Sequence, residues 1–197
     1  MKQFRPFLLV LPLMLAGCST LSSMSWSSLS PFNWFGDQVM VTEQGVGKIS
    51  ASTAFNEEAI DEGLGGGYRL RGGAETRNGS IVNFYEALSD NTVRLTLYGK
   101  GGGRVEQVVV ADPAIPSATG IKIGTPFSAL YSKAFGACQK GDGAERDSVV
   151  CAAPQSGHIS YVFSGSWHGP DELMPSDDAL KSWKVSKIIW HSAANPA

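Results

Sequence analysis

The chain has 197 residues, of which 43% are hydrophobic and 17% charged, and its net charge at pH 7 is −2. This composition is ordinary for a protein with a packed core, and the length suits one domain or two small halves. The weakly acidic balance does not favour nucleic acid as a partner, because proteins that bind phosphate backbones carry a basic surface.

The first seventeen residues have the pattern of a bacterial secretory signal. Lys2 and Arg5 precede an apolar run at residues 7–15, and Leu-Ala-Gly-Cys follows at residues 15–18. The run is too short for a membrane-spanning helix, which needs about 20 apolar residues. The pattern predicts cleavage after residue 17 and a lipid on the thiol of Cys18. The alternative is a secreted soluble protein in which Cys18 is incidental.

A lipid anchor at Cys18 would fix the protein's location. A diacylglycerol thioether together with an amide-linked acyl chain such as palmitate is enough for stable membrane attachment. Ser19 follows Cys18, where an Asp would be typical of inner-membrane retention, so resemblance to sorted lipoproteins predicts the outer membrane, with the body in the periplasm. Loss of residues 1–17 removes two basic residues and no acid, which brings the net charge to about −4.

We therefore divide the chain into a signal peptide at 1–17, a lipidated flexible tether at 18–39 and a single domain at 40–197. The tether is rich in serine, which is typical of flexible linkers, but four aromatic side chains interrupt it. These aromatics would lie at the membrane interface, on the domain or on a partner, and the sequence leaves the three open. They are Trp26, Phe32, Trp34 and Phe35.

Two cysteines remain in the predicted domain, Cys138 and Cys151. The periplasm is oxidising, so we expect them to form a disulfide. The closed loop of about 14 residues would stabilise the fold by roughly 3 kcal/mol in the chain-entropy model. Two buried free thiols are the alternative. A metal pair is disfavoured because no other Cys or His lies at ligand spacing beside either one, and we expect no metal and no cofactor.

Two short helices are predicted. Glu57 and Glu58 favour the positive end of the first, which ends at Gly65. In the second, Thr125 is predicted as the N-cap and Pro126 as the first helical residue, and Gly136 ends it. The second helix has the stronger pattern, with one apolar face made of Phe127, Leu130, Tyr131, Ala134 and Phe135.

Short alternating runs follow each helix and predict antiparallel strands. The first set covers residues 68–70, 80–87, 92–98 and 104–111, and the second starts at Cys138 and continues at 148–152, 158–164 and 183–190. The fold class is therefore α+β, a predominantly antiparallel sheet with two short helices.

The two helix-and-strand sets resemble each other. Thr-Ala-Phe at 53–55 recurs as Thr-Pro-Phe at 125–127, a spacing of about 72 residues. This predicts duplicated helix-plus-four-strand halves at 45–115 and 120–192. An accidental likeness is the alternative.

The chain contains no phosphate-binding loop, nucleophile elbow or zinc motif. His168, Asp171 and Glu172 are weak catalytic candidates, since a histidine near carboxylates can act as a general base or bind a cation. A solvated loop is the favoured interpretation, and we predict a protein that is not an enzyme.

Two sets of residues are weak candidates for binding. Arg69 and Arg71 would suit an anionic ligand, although they are also typical of the wet face of a sheet. Trp167, Trp183 and Trp190 would line a binding face if exposed, and pack in the core or at an edge if not.

The lipobox, the Ser-Pro-Phe-Asn-Trp-Phe-Gly stretch at 30–36 and the 120–136 segment resemble enterobacterial lipoproteins that are regulated by the envelope-stress sigma factor RpoE. That family carries a domain of unknown function, and the resemblance covers essentially the whole chain. It implies a periplasm-facing lipoprotein made when outer-membrane folding is disturbed, and it transfers no catalytic residue.

These features predict a non-enzymatic, outer-membrane-anchored protein that binds an envelope partner. The alternative is an envelope enzyme that acts on a cell-wall or lipid component through His168 and the nearby carboxylates.

Overall fold

The computed structural model describes residues 39–77, 79–170 and 172–194. The predicted signal peptide, Cys18 and all but residue 39 of the predicted tether lie outside the described residues, as do Asn78 and Asp171. Within these ranges no helix is both long and apolar enough to cross a bilayer.

The centre of the structure is one antiparallel sheet of eight strands. After three short strands, β1 to β3, which form a separate small sheet, the strands are β4 Arg69–Arg77, β5 Ser80–Ser89, β6 Thr92–Gly99, β7 Val105–Val110, β8 Cys138–Lys140, β9 Val149–Ala152, β10 Ile159–Ser164 and β11 Lys184–His191. Their order in the sheet is β4-β5-β6-β7-β11-β10-β9-β8. Each half of the chain supplies a four-stranded meander, and β7 pairs with β11 to join them.

Three consecutive pairs of apolar residues join β7 to β11. Val109 lies opposite Ile189, with Val110 opposite Ile188 on one side and Val108 opposite Trp190 on the other. Because side chains alternate between the faces, the flanking apolar side chains reach the same face of the sheet, where Val108, Val110 and Ile188 are fully buried.

A small sheet and a helix cover this buried face. The sheet consists of β1 Val41–Thr42, β2 Gly45–Val46 and β3 Ile49–Ser50. The helix α1 spans Glu57–Leu64 and is capped by Asn56, whose side-chain oxygen accepts a hydrogen bond from the backbone N–H of Ala59 at 2.9 Å. The predicted first helix is confirmed, and it ends at Gly65 in the left-handed conformation.

The predicted second helix at 126–135 is wrong. Only a 3₁₀ turn at Phe127–Ala129 forms there, and Thr125 does not cap it. The backbone N–H of Phe127 donates to the carbonyl of Trp183, and the N–H of Val185 donates to the carbonyl of Thr125, both at 2.8 Å. This segment therefore pairs with the start of β11, and these long-range bonds outweigh the local helical pattern.

Two further details correct the helix prediction. Phe135, predicted on the buried face, is 87% exposed. The second α-helix is α2 at Asp177–Leu180, capped by the hydroxyl of Ser176. The sheet is thus confirmed as mostly antiparallel with two short helices, but one helix lies elsewhere in the chain.

The segment before α1 is attached to the sheet by the same pattern of backbone hydrogen bonds as the segment at 125–127. The N–H of Phe55 donates to the carbonyl of Gly103, and the N–H of Val105 donates to the carbonyl of Thr53, both at 3.0 Å. A single-residue irregularity follows Tyr98 in the β6–β7 pair and Val162 in the β10–β11 pair. The two halves therefore share strand order, register and the way their preceding segments attach.

The core is continuous across both halves and is rich in aromatic side chains. The rings of Phe127, Tyr131 and Phe163 lie within 5.1–5.8 Å of one another, centroid to centroid. The Trp190 indole N–H donates to the backbone carbonyl of Glu43 at 3.1 Å, which attaches the small sheet to β11. Aromatic burial of this kind supplies a large share of core stabilisation.

The disulfide between Cys138 and Cys151 is present, as predicted. The two residues lie directly opposite each other in the β8–β9 pair, with their Cα atoms 3.9 Å apart. Cys151 is fully buried, so the bridge fixes the short edge strand β8 to the core.

Replacing both Cys138 and Cys151 with alanine should lower the free energy of unfolding by about 3 kcal/mol, because the unfolded chain regains the freedom of the closed loop. Urea unfolding followed by tryptophan fluorescence measures the change, and reduced wild-type protein is the matched control, with a similar loss expected. An unchanged unfolding midpoint in both samples would contradict the stabilising role.

Candidate functional site

The sheet has a second face, turned away from the core, which we call the outer face. Successive strand pairs place five residues in one row across it. This outer row consists of Gly73, Phe84, Tyr98, Gln107 and His191. Its side chains are half-buried in β5, β6, β7 and β11, so they remain in contact with solvent.

Two glycines let aromatic rings reach the sheet edge. A side chain at Gly73 would come within 2.5 Å of the Phe84 ring, and one at Gly72 within 3.1 Å of the Tyr85 ring. Phe84 is on the outer face, and Tyr85 is on the core face, where it packs against Phe55. The two rings therefore cover the glycines of β4, one on each face of the sheet.

The side chain of Arg77, at the end of β4, extends across the outer row. Its guanidinium carbon lies 4.0 Å from the centroid of the Tyr98 ring, and its Nη1 donates to Oε1 of Gln107 at 3.2 Å. Gln107 is on β7, three strands away from β4, so the β4–β5 hairpin bends over this face. Glu75 holds Arg77 from the other side at 3.0 Å.

The row ends at His191. Nε2 of Gln107 lies 3.5 Å from Nδ1 of His191, and the Arg77 bond to the other end of the amide fixes this orientation. Burial lowers the pKa of His191, and the neighbouring His158 lowers it further. Nδ1 of His158 lies 2.8 Å from the backbone carbonyl of His191, to which it can donate.

The corresponding face of the second half is partly covered. Glu145, in the loop between β8 and β9, forms an ion pair with Lys187 on β11. Val162 on β10 is fully buried beneath this region, whereas Tyr98, at the corresponding register position on β6, is half-buried. The outer face is therefore more covered around β10 and β11 than around β6 and β7, although Ala152 and Gln139 at its far edge are exposed.

The weak catalytic candidates do not form a site in the described chain. His168 and Glu172 are both exposed, and no hydrogen bond joins them. Asp171 lies outside the described residues. Nowhere in the described ranges do three His, Cys, Asp or Glu side chains meet in an arrangement that would hold a metal ion.

The predicted binding residues divide into two groups. Arg69 and Arg71 are exposed on β4, and Arg71 pairs with Glu86 on β5, with 2.7 Å between Nε and Oε2. Trp183 and Trp190 are only 1% exposed and fill the core, which is one of the two alternatives that the sequence left open, so they do not line a binding face. Trp167 is half-buried, and its indole N–H donates to the carbonyl of Pro170.

Four residues of the outer row were not predicted from the sequence: Phe84, Tyr98, Gln107 and His191. Their common position is set by strand register, which brings residues together from four strands. The available signal was the alternation of β5 and β6, which places Phe84, Glu86, Thr96 and Tyr98 on one face once the hairpin turn is assigned.

A family model described as a protein of unknown function, DUF1131, matches residues 23–192. The chain belongs to this family. It is 55% identical over 190 residues to the uncharacterized protein YfeY of Escherichia coli K12, which covers 96% of this chain and 99% of the relative. The expected membership in a family of unknown function is confirmed.

The crystal structure of the uncharacterized protein yfeY from Escherichia coli is also similar. It has 54% sequence identity and a TM-score of 0.71, and the match covers 77% of this chain and 99% of that structure.

The lowered pKa of His191 predicts that the free energy of unfolding depends on pH. Its pKa is lowered in the folded protein, so below its ordinary pKa near 6.5 the unfolded chain takes up a proton that the folded chain does not. The contribution to stability is therefore fully present above about pH 6.5 and is lost as the pH falls.

We expect His191→Gln to reduce the loss of unfolding free energy between about pH 7 and about pH 5.5, and His168→Gln, at an exposed position, to leave it unchanged. Urea unfolding of both variants at the two pH values measures this. Equal pH dependence in wild type and His191→Gln would disprove the assignment.

Proposed function

We propose that the protein is an outer-membrane lipoprotein, anchored by a lipid on Cys18, whose domain lies in the periplasm and binds another envelope component without catalysing a reaction. The signal pattern at residues 1–18 supports the anchor. The Cys138–Cys151 disulfide supports an oxidising compartment. The resemblance to RpoE-regulated lipoproteins supports a role in envelope stress or integrity.

The observation that carries the binding proposal is the open outer face over β4–β7. It combines Phe84 and Tyr98 with Arg71 and Arg77, and aromatic and arginine side chains are the residues that dominate protein–protein interfaces. Arg77 is held in place by Glu75, Tyr98 and Gln107 before any partner arrives. A pre-ordered side chain loses less conformational entropy on binding.

We further propose that the domain arose by internal duplication. Hydrogen bonds at Phe55 and at Phe127 attach equivalent segments to equivalent strands. The side chain of Thr53 accepts from the N–H of Ser50, and that of Thr125 accepts from the N–H of Lys122, at the same offset. Shared register and a shared irregularity support the proposal more strongly than the few identical residues do.

Duplication makes the difference between the halves informative. The second half covers its outer face with the 141–147 loop and the Glu145–Lys187 ion pair. The first half replaces this pair with Arg77 and Gln107 and keeps aromatic rings at the surface. One half thus serves stability, and the other leaves a surface free for a partner.

The anchor is tested by Cys18→Ala. The variant should accumulate either as the unprocessed chain, with residues 1–17 retained, or as soluble protein, and in both cases without the mass of the lipid. The variant Cys138→Ala with Cys151→Ala should be processed and remain in the membrane fraction, as the wild type does. Membrane attachment of Cys18→Ala at the mass of the processed wild type would refute the lipid.

The binding face is tested by photo-crosslinking in cells grown under envelope stress. A photoreactive residue at Thr96 or Tyr98 should capture a defined envelope protein, and one at the exposed Lys133, on the core-face side, should not. The captured protein, once purified, should bind Tyr98→Ala roughly tenfold more weakly than wild type and Lys133→Ala equally well. Identical capture from all three positions, or capture of this chain alone, would contradict the proposal.

A further inference from the structure

The strand β4 lies at one edge of the sheet, and no described strand pairs with its free edge. It is nine residues long, and seven of its nine residues are exposed. At the other end of the sheet, the edge strand β8 has three residues and is fixed by the disulfide. Long open edges are the usual sites at which another strand adds to a sheet.

The backbone of β4 presents alternating free groups. Arg77 and Ser80 flank a two-residue turn, which makes them a hydrogen-bonded pair, so the odd-numbered residues of β4 bond to β5. The N–H and C=O groups of the even-numbered residues point to the open edge. These residues are Leu70, Gly72, Ala74 and Thr76.

We infer that this edge pairs antiparallel with β4 of a second copy of the chain, centred on Gly72, and that the dimer forms one continuous sheet. In this register Gly72 faces Gly72 of the second copy, and Leu70 faces its Ala74. All these residues have free backbone groups, so hydrogen bonds can form on both sides of the two-fold axis.

Charge selects this register. The charged residues of β4 are Arg69, Arg71, Glu75 and Arg77, and all lie on the outer face. Centring on Gly72 places Arg69 opposite Glu75 of the second copy, twice by symmetry, with no like charges opposite. Centring on Gly73 would place Arg71 opposite Glu75 but also Arg69 opposite Arg77, so its two repulsions offset its two attractions.

Arg69 is available for such a pair. In the described chain its guanidinium donates to the side chain of Asn91 at 3.0 Å, and no carboxylate lies within ion-pair distance of it. Arg69 and Glu75 would form a non-hydrogen-bonded cross-strand pair, in which side chains approach most closely.

The two glycines add an apolar contribution. Because Tyr85 leans over Gly72, the Tyr85 rings of both copies would meet above the central glycine pair. On the outer face, Gly73 would lie opposite Arg71 of the second copy, which brings that guanidinium beside the Phe84 ring. The self-pairing therefore uses the β4 end of the outer row, Gly73 and Phe84, together with Glu75, which also pairs with Arg77, and it leaves Tyr98, Gln107 and His191 uncovered.

Sedimentation velocity of the full lipidated chain in a non-ionic detergent tests the dimer. Wild type should form a dimer that weakens as salt is raised. Arg69→Glu and Glu75→Arg should each raise the dissociation constant roughly tenfold, because two attractions become two repulsions. The double variant Arg69→Glu with Glu75→Arg should return to within about twofold of wild type.

Two controls separate this pairing from other effects. Lys133→Glu, at an exposed position away from the edge, should leave the dimer unchanged. Arg71→Glu with Glu75→Arg should not restore it, because these residues are not opposite each other in the proposed register. A wild-type monomer at every concentration, or a dimer insensitive to both single variants, would overturn the inference. Photo-crosslinking at Tyr98 is a different measurement, so a failure to capture a partner there would not affect the result on the dimer.

Discussion

The pairing of β7 with β11 is the interaction on which the rest of the structure depends. Each half contributes four strands, and a four-stranded meander alone leaves one long apolar edge strand without a neighbour. Joining Val105–Val110 to Lys184–His191 satisfies both strands and merges the two cores into one. It also places the outer faces of the two halves side by side, so that one can be closed while the other remains open.

That asymmetry explains how a single sheet can be both stable and available for binding. The second half has a partly covered outer face, a disulfide and a short edge strand. The first half has a long edge, two glycines and aromatic rings that stay in contact with solvent. Exposed strands and apolar surface risk aggregation unless charges limit their pairing. The arginines and glutamate of β4 serve this purpose and also define which strand can be accepted.

Much of the fold could be predicted from the sequence, because alternating runs such as Val93, Leu95 and Leu97 encode a strand with one buried face. The failures have physical causes. The segment after Thr125 has a helical pattern, but its backbone bonds to Trp183 and Val185, which are distant in sequence. Most of β4 was missed because Arg-Gly-Gly-Ala-Glu-Thr-Arg has no apolar alternation. The outer row was missed because register, which sets it, depends on contacts between strands.

Because β7 and β11 join the two cores, the two halves should unfold as one unit, and native-state hydrogen exchange tests this most directly. Amides of β7 and β11 should exchange only through global unfolding, with the same free energy that urea unfolding gives, and amides of β10 should follow them. Exchange of β8–β11 as a group at a clearly lower free energy than β4–β7 would show two independent halves and contradict the account.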